Sequence, residues 1–129
     1  MIRQPASQSL HDSIIRIAAE NLTKTAKYKV YTNPDGEHNT SLGNSYPDII
    51  LTPIGNNTVQ FIVEVETADS INESEVSQWR EYSAIGGTFY LLVPKEELSR
   101  TKQICALFSI TAKFGYFSVE NGNAIITYE

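Results

Sequence analysis

The chain has one cysteine, Cys105, and two histidines, His11 and His38. A single thiol excludes an intrachain disulfide framework and fits a reducing, cytoplasmic compartment. The histidines stand at no metal-ligand spacing, which lowers a zinc reading. No apolar run approaches the roughly 20 residues of a membrane span, and the opening MIRQPASQSLHDS lacks an apolar core of signal-peptide length. A soluble protein with no membrane partner is expected. Positive charge is scarce as well: 10 Lys and Arg stand against 15 Asp and Glu, a formal net charge of −5. No overall basic field draws the molecule onto nucleic acid, so any such contact must come from a local patch or from bound cations.

What is present suffices for one core. The chain has 129 residues, 41% of them hydrophobic, too few for two ordinary domains, and a single domain over 1–129 is expected. From Ser7 the residues Leu10, Ile14, Ile17 and Ala18 have helical spacing, which predicts a helix to about Lys24 or Lys27. YKVYT alternates as a strand, and NPDGEHNTSLGNSY has loop composition. DIILT and VQFIVEVET, joined by PIGNN, read as an antiparallel hairpin.

A second helix is predicted over Glu73 to Ile85, with Ser70 and Glu73 as a capping box, Val76, Trp79 and Ser83 on one face, and Gly86-Gly87 as its end. The almost uniformly apolar TFYLLVP predicts a central strand reached by a helical crossover. A third helix is predicted from Lys95, with Leu98, Cys105, Phe108 and Ala112 inward and Gly115 ending it. Asn121-Gly122 then marks a terminal hairpin turn. The order α-β-β-β-α-β, followed by α-β-β, predicts an α/β fold with a mixed central sheet flanked by helices.

Three acids interrupt the apolar strands. Glu64 and Glu66 are two apart and share a face, and a hairpin turning about Asn56 sets Asp48 across from Glu64 and Ile50 across from Ile62. Opposed carboxylates repel unless a cation lies between them, and oxygen ligands suit Mg²⁺, Mn²⁺ or Ca²⁺. Acids on one strand face are ordinarily the solvated side of a sheet, but Ile50 and Ile62 on the same face argue for burial.

Pro47-Asp48, then Glu64-Val65-Glu66 on the next strand, then QWREY from Gln78 to Tyr82, resembles the PD-(D/E)XK nuclease superfamily, whose restriction-endonuclease-like core has the same α-β-β-β-α-β order. The resemblance covers about 7–94 and leaves 95–129 as a peripheral helix and hairpin. It implies a metal-dependent endonuclease or exonuclease that hydrolyses phosphodiester bonds, with DNA as the expected substrate. Mg²⁺ or Mn²⁺ would be held by Asp48 and Glu64, with the Val65 carbonyl as a further ligand. Glu20 looks like the additional acid that many members place beside the metal. Gln78 and Tyr82 are similar to the Q-x-x-x-Y motif of the RecB-type branch, where it helps organise the site and contact nucleic acid.

One position departs from the pattern. The family's lysine would stand at residue 66, where this chain has Glu66, as do some restriction endonucleases of the superfamily. Glu66 is then expected as a ligand to a second metal or as general base, and Lys24, Lys27 or Lys29 as a migrated positive charge within a basic strip that includes Arg16. The lysines are equally explained as a solvated helix end. The missing lysine and the acidic balance point to the alternative, a catalytically inactive nuclease-like domain serving as a nucleic-acid or protein interaction module. The terminal hairpin offers an edge that could pair in a two-fold dimer.

Overall fold

Pro5 presets the backbone for the first turn of a helix, and α1 runs from Pro5 to Thr23. The computed structural model describes residues 3–25, 27–34, 42 and 46–129. Its further elements are β1 (Tyr28–Thr32), β2 (Ile49–Pro53), β3 (Phe61–Val65), α2 (Val76–Ile85), β4 (Thr88–Pro94), α3 (Leu98–Leu107), β5 (Lys113–Glu120) and β6 (Asn123–Tyr128). Short 3₁₀ turns, Glu73–Glu75 and Lys95–Glu97, lead into α2 and α3. Most of the loop predicted before Pro47, His38 included, lies outside the described residues.

The six strands form one sheet in chain order, β1-β2-β3-β4-β5-β6. β1 to β3 is an antiparallel meander, β3-β4-β5 is parallel, and β6 returns antiparallel. The fold is therefore α/β with a mixed sheet and three helices. Ile50 pairs with Ile62 and Ile49 with Val63, the register expected from the hairpin. Asn121 and Gly122, with φ of 51° and 78°, make the two-residue turn between β5 and β6.

Alternation along β4 feeds two cores. Tyr90 and Leu92 join Ile49, Leu51, Val63 and Val65 beneath Ile14, Ile15 and Ala18 of α1. Phe89, Leu91 and Val93 join Ile62 beneath Val76, Trp79 and Tyr82 of α2. β4 is thus covered on both faces, which is why its sequence does not alternate in polarity. Among the described residues, no helix is long and apolar enough to cross a membrane.

Three local expectations need correction. Asn72, not Ser70, caps the turn before α2, its side chain accepting from Ser74 N at 2.9 Å. Ser70 is withdrawn into the interior, where it serves Glu66. α3 stops at Leu107, because Ser109 takes a left-handed φ of 57° and Gly115 sits inside β5. The segment after Lys95 is not peripheral either, since Cys105 and Ile110 enter one core and Phe117 the other.

Gly87 permits the entry to β4. Its φ is +72°, and a Cβ there would meet Gln60 O at 2.5 Å. Gly55 has a similar φ of +81° but open space around it. Gly87→Ala is therefore expected to destabilise by about 1–3 kcal/mol and by more than Gly55→Ala, as urea unfolding would measure. Equal losses at both positions would refute the steric argument.

Candidate functional site

The buried face of α1 carries His11 as well as Ile14, Ile15 and Ala18, while Leu10 and Ile17 flank it half-buried. This rotation from the expected stripe points an imidazole at the start of β2. His11 Nε2 lies 3.1 Å from Asp48 Oδ2, and His11 Nδ1 lies 3.2 Å from Asp12 Oδ1. With an acceptor oxygen facing each ring nitrogen, the geometry suits the protonated ring, which can donate on both sides at once. Burial alone would push the His11 pKa down; the hydrogen bond and charge of Asp48 outweigh it, and the pKa is raised.

Asp48 and Glu64 are tied across the strand pair. Asp48 N donates to Glu64 Oε1 at 2.9 Å, and Val65 N donates to Asp48 Oδ2 at 2.8 Å. Among the described residues, Asp48 Oδ1 and Glu64 Oε2 accept no hydrogen bond. Both side chains line a pocket of about 120 Å³ together with Arg3, Glu66, Glu75 and Gln78. That space takes several water molecules.

Glu66 is held on every side. Trp79 Nε1 donates to Oε1 at 3.1 Å, Ser70 Oγ donates to Oε2, and Arg3 Nη2 lies 3.6 Å from Oε2. Its oxygens are thus engaged by protein groups, which leaves little for a second metal or for a proton taken from water. Arg3, absent from the expected site residues, also donates through Nε to Thr67 Oγ1 at 3.1 Å and through Nη2 to Val65 O at 3.3 Å. The Val65 carbonyl therefore meets a guanidinium.

The remaining expected residues divide. Gln78 lines the pocket from α2. Tyr82 is buried against Phe89, ring centres 6.1 Å apart, and its hydroxyl pKa is raised by burial and then by the Glu64 and Asp48 charges. Glu20 is exposed and lines a different pocket with Arg16, beside the β5–β6 hairpin, about 13 Å along α1 from His11. Lys24 lies about 20 Å along the same axis. Lys29 pairs with Thr52, about 13 Å along β2 from Asp48, and Lys27 precedes it at the same sheet end. None of these lysines is brought to the carboxylates.

The cluster is electrostatically strained. Burial, then the charges of Asp48 and Glu66, raises the Glu64 pKa well above the carboxylate range. Burial also raises Glu66 from 4.5 to about 7, against the opposing hydrogen bonds from Ser70 and Trp79. Glu64, Glu66 and His11 therefore hold protons more tightly folded than unfolded. Each contributes stability that is present below its unfolded pKa and lost as pH rises through its folded pKa. For Glu66 that window is 4.5 to about 7 and spans about 3 kcal/mol. In EDTA the Tm should fall between about pH 5 and pH 8; a flat or rising profile would contradict this electrostatic picture.

A divalent cation would relieve the strain. Among the described residues, no group of three or more His, Cys, Asp or Glu is arranged to hold a metal ion. The donor set instead amounts to two carboxylates, each with one oxygen that no described donor engages. That fits Mg²⁺, which keeps several waters and binds through one or two carboxylates plus substrate phosphates. No protein-family model matches the chain, and no curated protein or solved structure matches it.

Proposed function

We propose that this chain is a divalent-metal-dependent nuclease of restriction-endonuclease-like fold that hydrolyses phosphodiester bonds, with DNA as substrate. The observation that carries the reading is the opposed pair Asp48 and Glu64, buried at 7% and 6% exposure, each with an oxygen that no described donor engages beside a polar pocket. Buried neighbouring carboxylates demand a compensating cation or a proton. The α-β-β-β-α-β order and the position of the acids, at the carboxyl end of β3 where antiparallel pairing gives way to parallel, support it further.

Asp48 and Glu64 would hold Mg²⁺ or Mn²⁺, which supplies Lewis-acid stabilisation of phosphate charge and an activated water. His11 and Val65 N fix the Asp48 carboxylate, so its orientation is set before substrate arrives. Gln78 reaches the same pocket from α2 and can contact a bound phosphodiester. Trp79 and Ser70 hold Glu66 as a structural acid.

A second reading is favoured by that same saturation of Glu66 and by Arg3 on the Val65 carbonyl. It is a catalytically inactive domain that keeps the fold as an interaction module. The deciding experiment is cleavage of labelled single-stranded, duplex and branched DNA with Mg²⁺ or Mn²⁺, beside EDTA and Asp48→Ala controls. Cutting lost in both controls supports the nuclease; intact DNA throughout, with no Mg²⁺ or Mn²⁺ binding by calorimetry, supports the module.

A further inference from the structure

A site for phosphate needs positive charge, and the expected lysines lie at the far end of the sheet. The one guanidinium among the described residues lining the acidic pocket belongs to Arg3. It approaches the pocket from the segment before α1, and its side chain is only 7% exposed. Its described partners include Thr67 Oγ1, Val65 O and Glu66 Oε2, at the carboxyl end of β3 or just beyond. Gln4 N, bonded to Asp69 Oδ2 at 3.2 Å, fastens the same segment to the same loop. Long arginines are ordinarily solvated, so burial with fixed partners marks a placed charge.

We propose that Arg3 is the phosphate-binding cation of this site, its guanidinium taking a non-bridging oxygen of the phosphodiester held beside Asp48 and Glu64. This rests on the nuclease reading. Glu66 then has a defined part: it cannot supply a cation itself, but it fixes one supplied by a residue far away in the chain. Hydrolysis forms a bond from a water oxygen to phosphorus and breaks the bond from phosphorus to the leaving oxygen. The water's proton ends, by way of solvent, on the leaving oxygen or on buffer. Arg3 exchanges no proton; it balances the charge that grows on the non-bridging oxygens.

The test uses the full chain with Arg3→Ala and Arg3→Lys. Single-turnover cleavage of labelled duplex and single-stranded DNA is measured in Mg²⁺. Binding of a labelled oligonucleotide is measured in EDTA across a series of NaCl concentrations. Arg3→Ala should slow cleavage by about 10²–10³-fold and lower the slope of log affinity against log salt by about one phosphate contact. Arg3→Lys should keep the slope and stay within about tenfold of the original rate, since it retains charge but not the planar fork.

An unchanged salt slope in Arg3→Ala overturns the proposal, even if the variant is less stable, because a purely structural arginine moves Tm and leaves the slope alone. So does cleavage by Arg3→Ala at the original rate. If the unmodified protein cuts nothing, the nuclease reading fails separately, and the slope still decides whether Arg3 meets phosphate.

Discussion

Under the proposed nuclease function, Glu64→Gln should lower metal-dependent cleavage on the order of 10³-fold while making the metal-free protein more stable. The loss corresponds to about 4 kcal/mol of transition-state stabilisation, the scale at which a bound metal acts on phosphate charge. The gain follows from the strain that burial, Asp48 and Glu66 impose on the Glu64 carboxylate. Glutamine keeps an oxygen for the Asp48 N–H but removes the charge. About 1–2 kcal/mol of relief is expected, or about 3 °C or more in Tm in EDTA. Opposite signs for activity and stability identify a residue kept for function. Full cleavage by this variant would sink the assignment of Glu64 to the metal; a lower Tm would sink the account of its electrostatics.

Trp79→Ala should destabilise by about 3–5 kcal/mol, the largest single-residue loss foreseen for this chain. The indole is fully buried among Ile62, Val76 and Leu91, and its N–H satisfies Glu66 Oε1. Trp79→Phe separates the two contributions: most of the volume survives, and the cost of about 1–3 kcal/mol is that of an abandoned carboxylate oxygen. Adding Glu66→Gln to Trp79→Phe should recover part of this loss, so the double-mutant cycle in urea should not be additive. Strict additivity would mean that the indole is packing alone.

The architecture was legible because it is written locally. The β-branched and aromatic composition of DIILT and VQFIVEVET marks two strands, a turn placed symmetrically about Asn56 yields their register, and the apolar TFYLLVP declares a strand buried on both faces. The pairing of Asp48 with Glu64 followed from that register. The two basic side chains beside these acids, His11 and Arg3, did not. His11 falls three residues before Ile14, so a polar residue at core spacing was a signal open to notice. Arg3 carried none, because its partners stand 62 to 64 residues away and are fixed only by how α1 lies on the sheet. The capping serine misled for a related reason: a buried acid four residues earlier claimed Ser70 before the helix could.

The separations within the pocket bear on how the molecule acquires it. The β5–β6 hairpin closes over a two-residue turn, whereas Arg3 must find Val65 across 62 residues and His11 must find Asp48 across 37. Closing long loops spends chain entropy before any contact is gained, so such pairings form late. A nascent or half-melted chain can own its hairpins and still have no assembled cluster of acids and cations. Chemistry performed here would be a property of the finished molecule alone, appearing at the last step of folding and vanishing at the first step of unfolding.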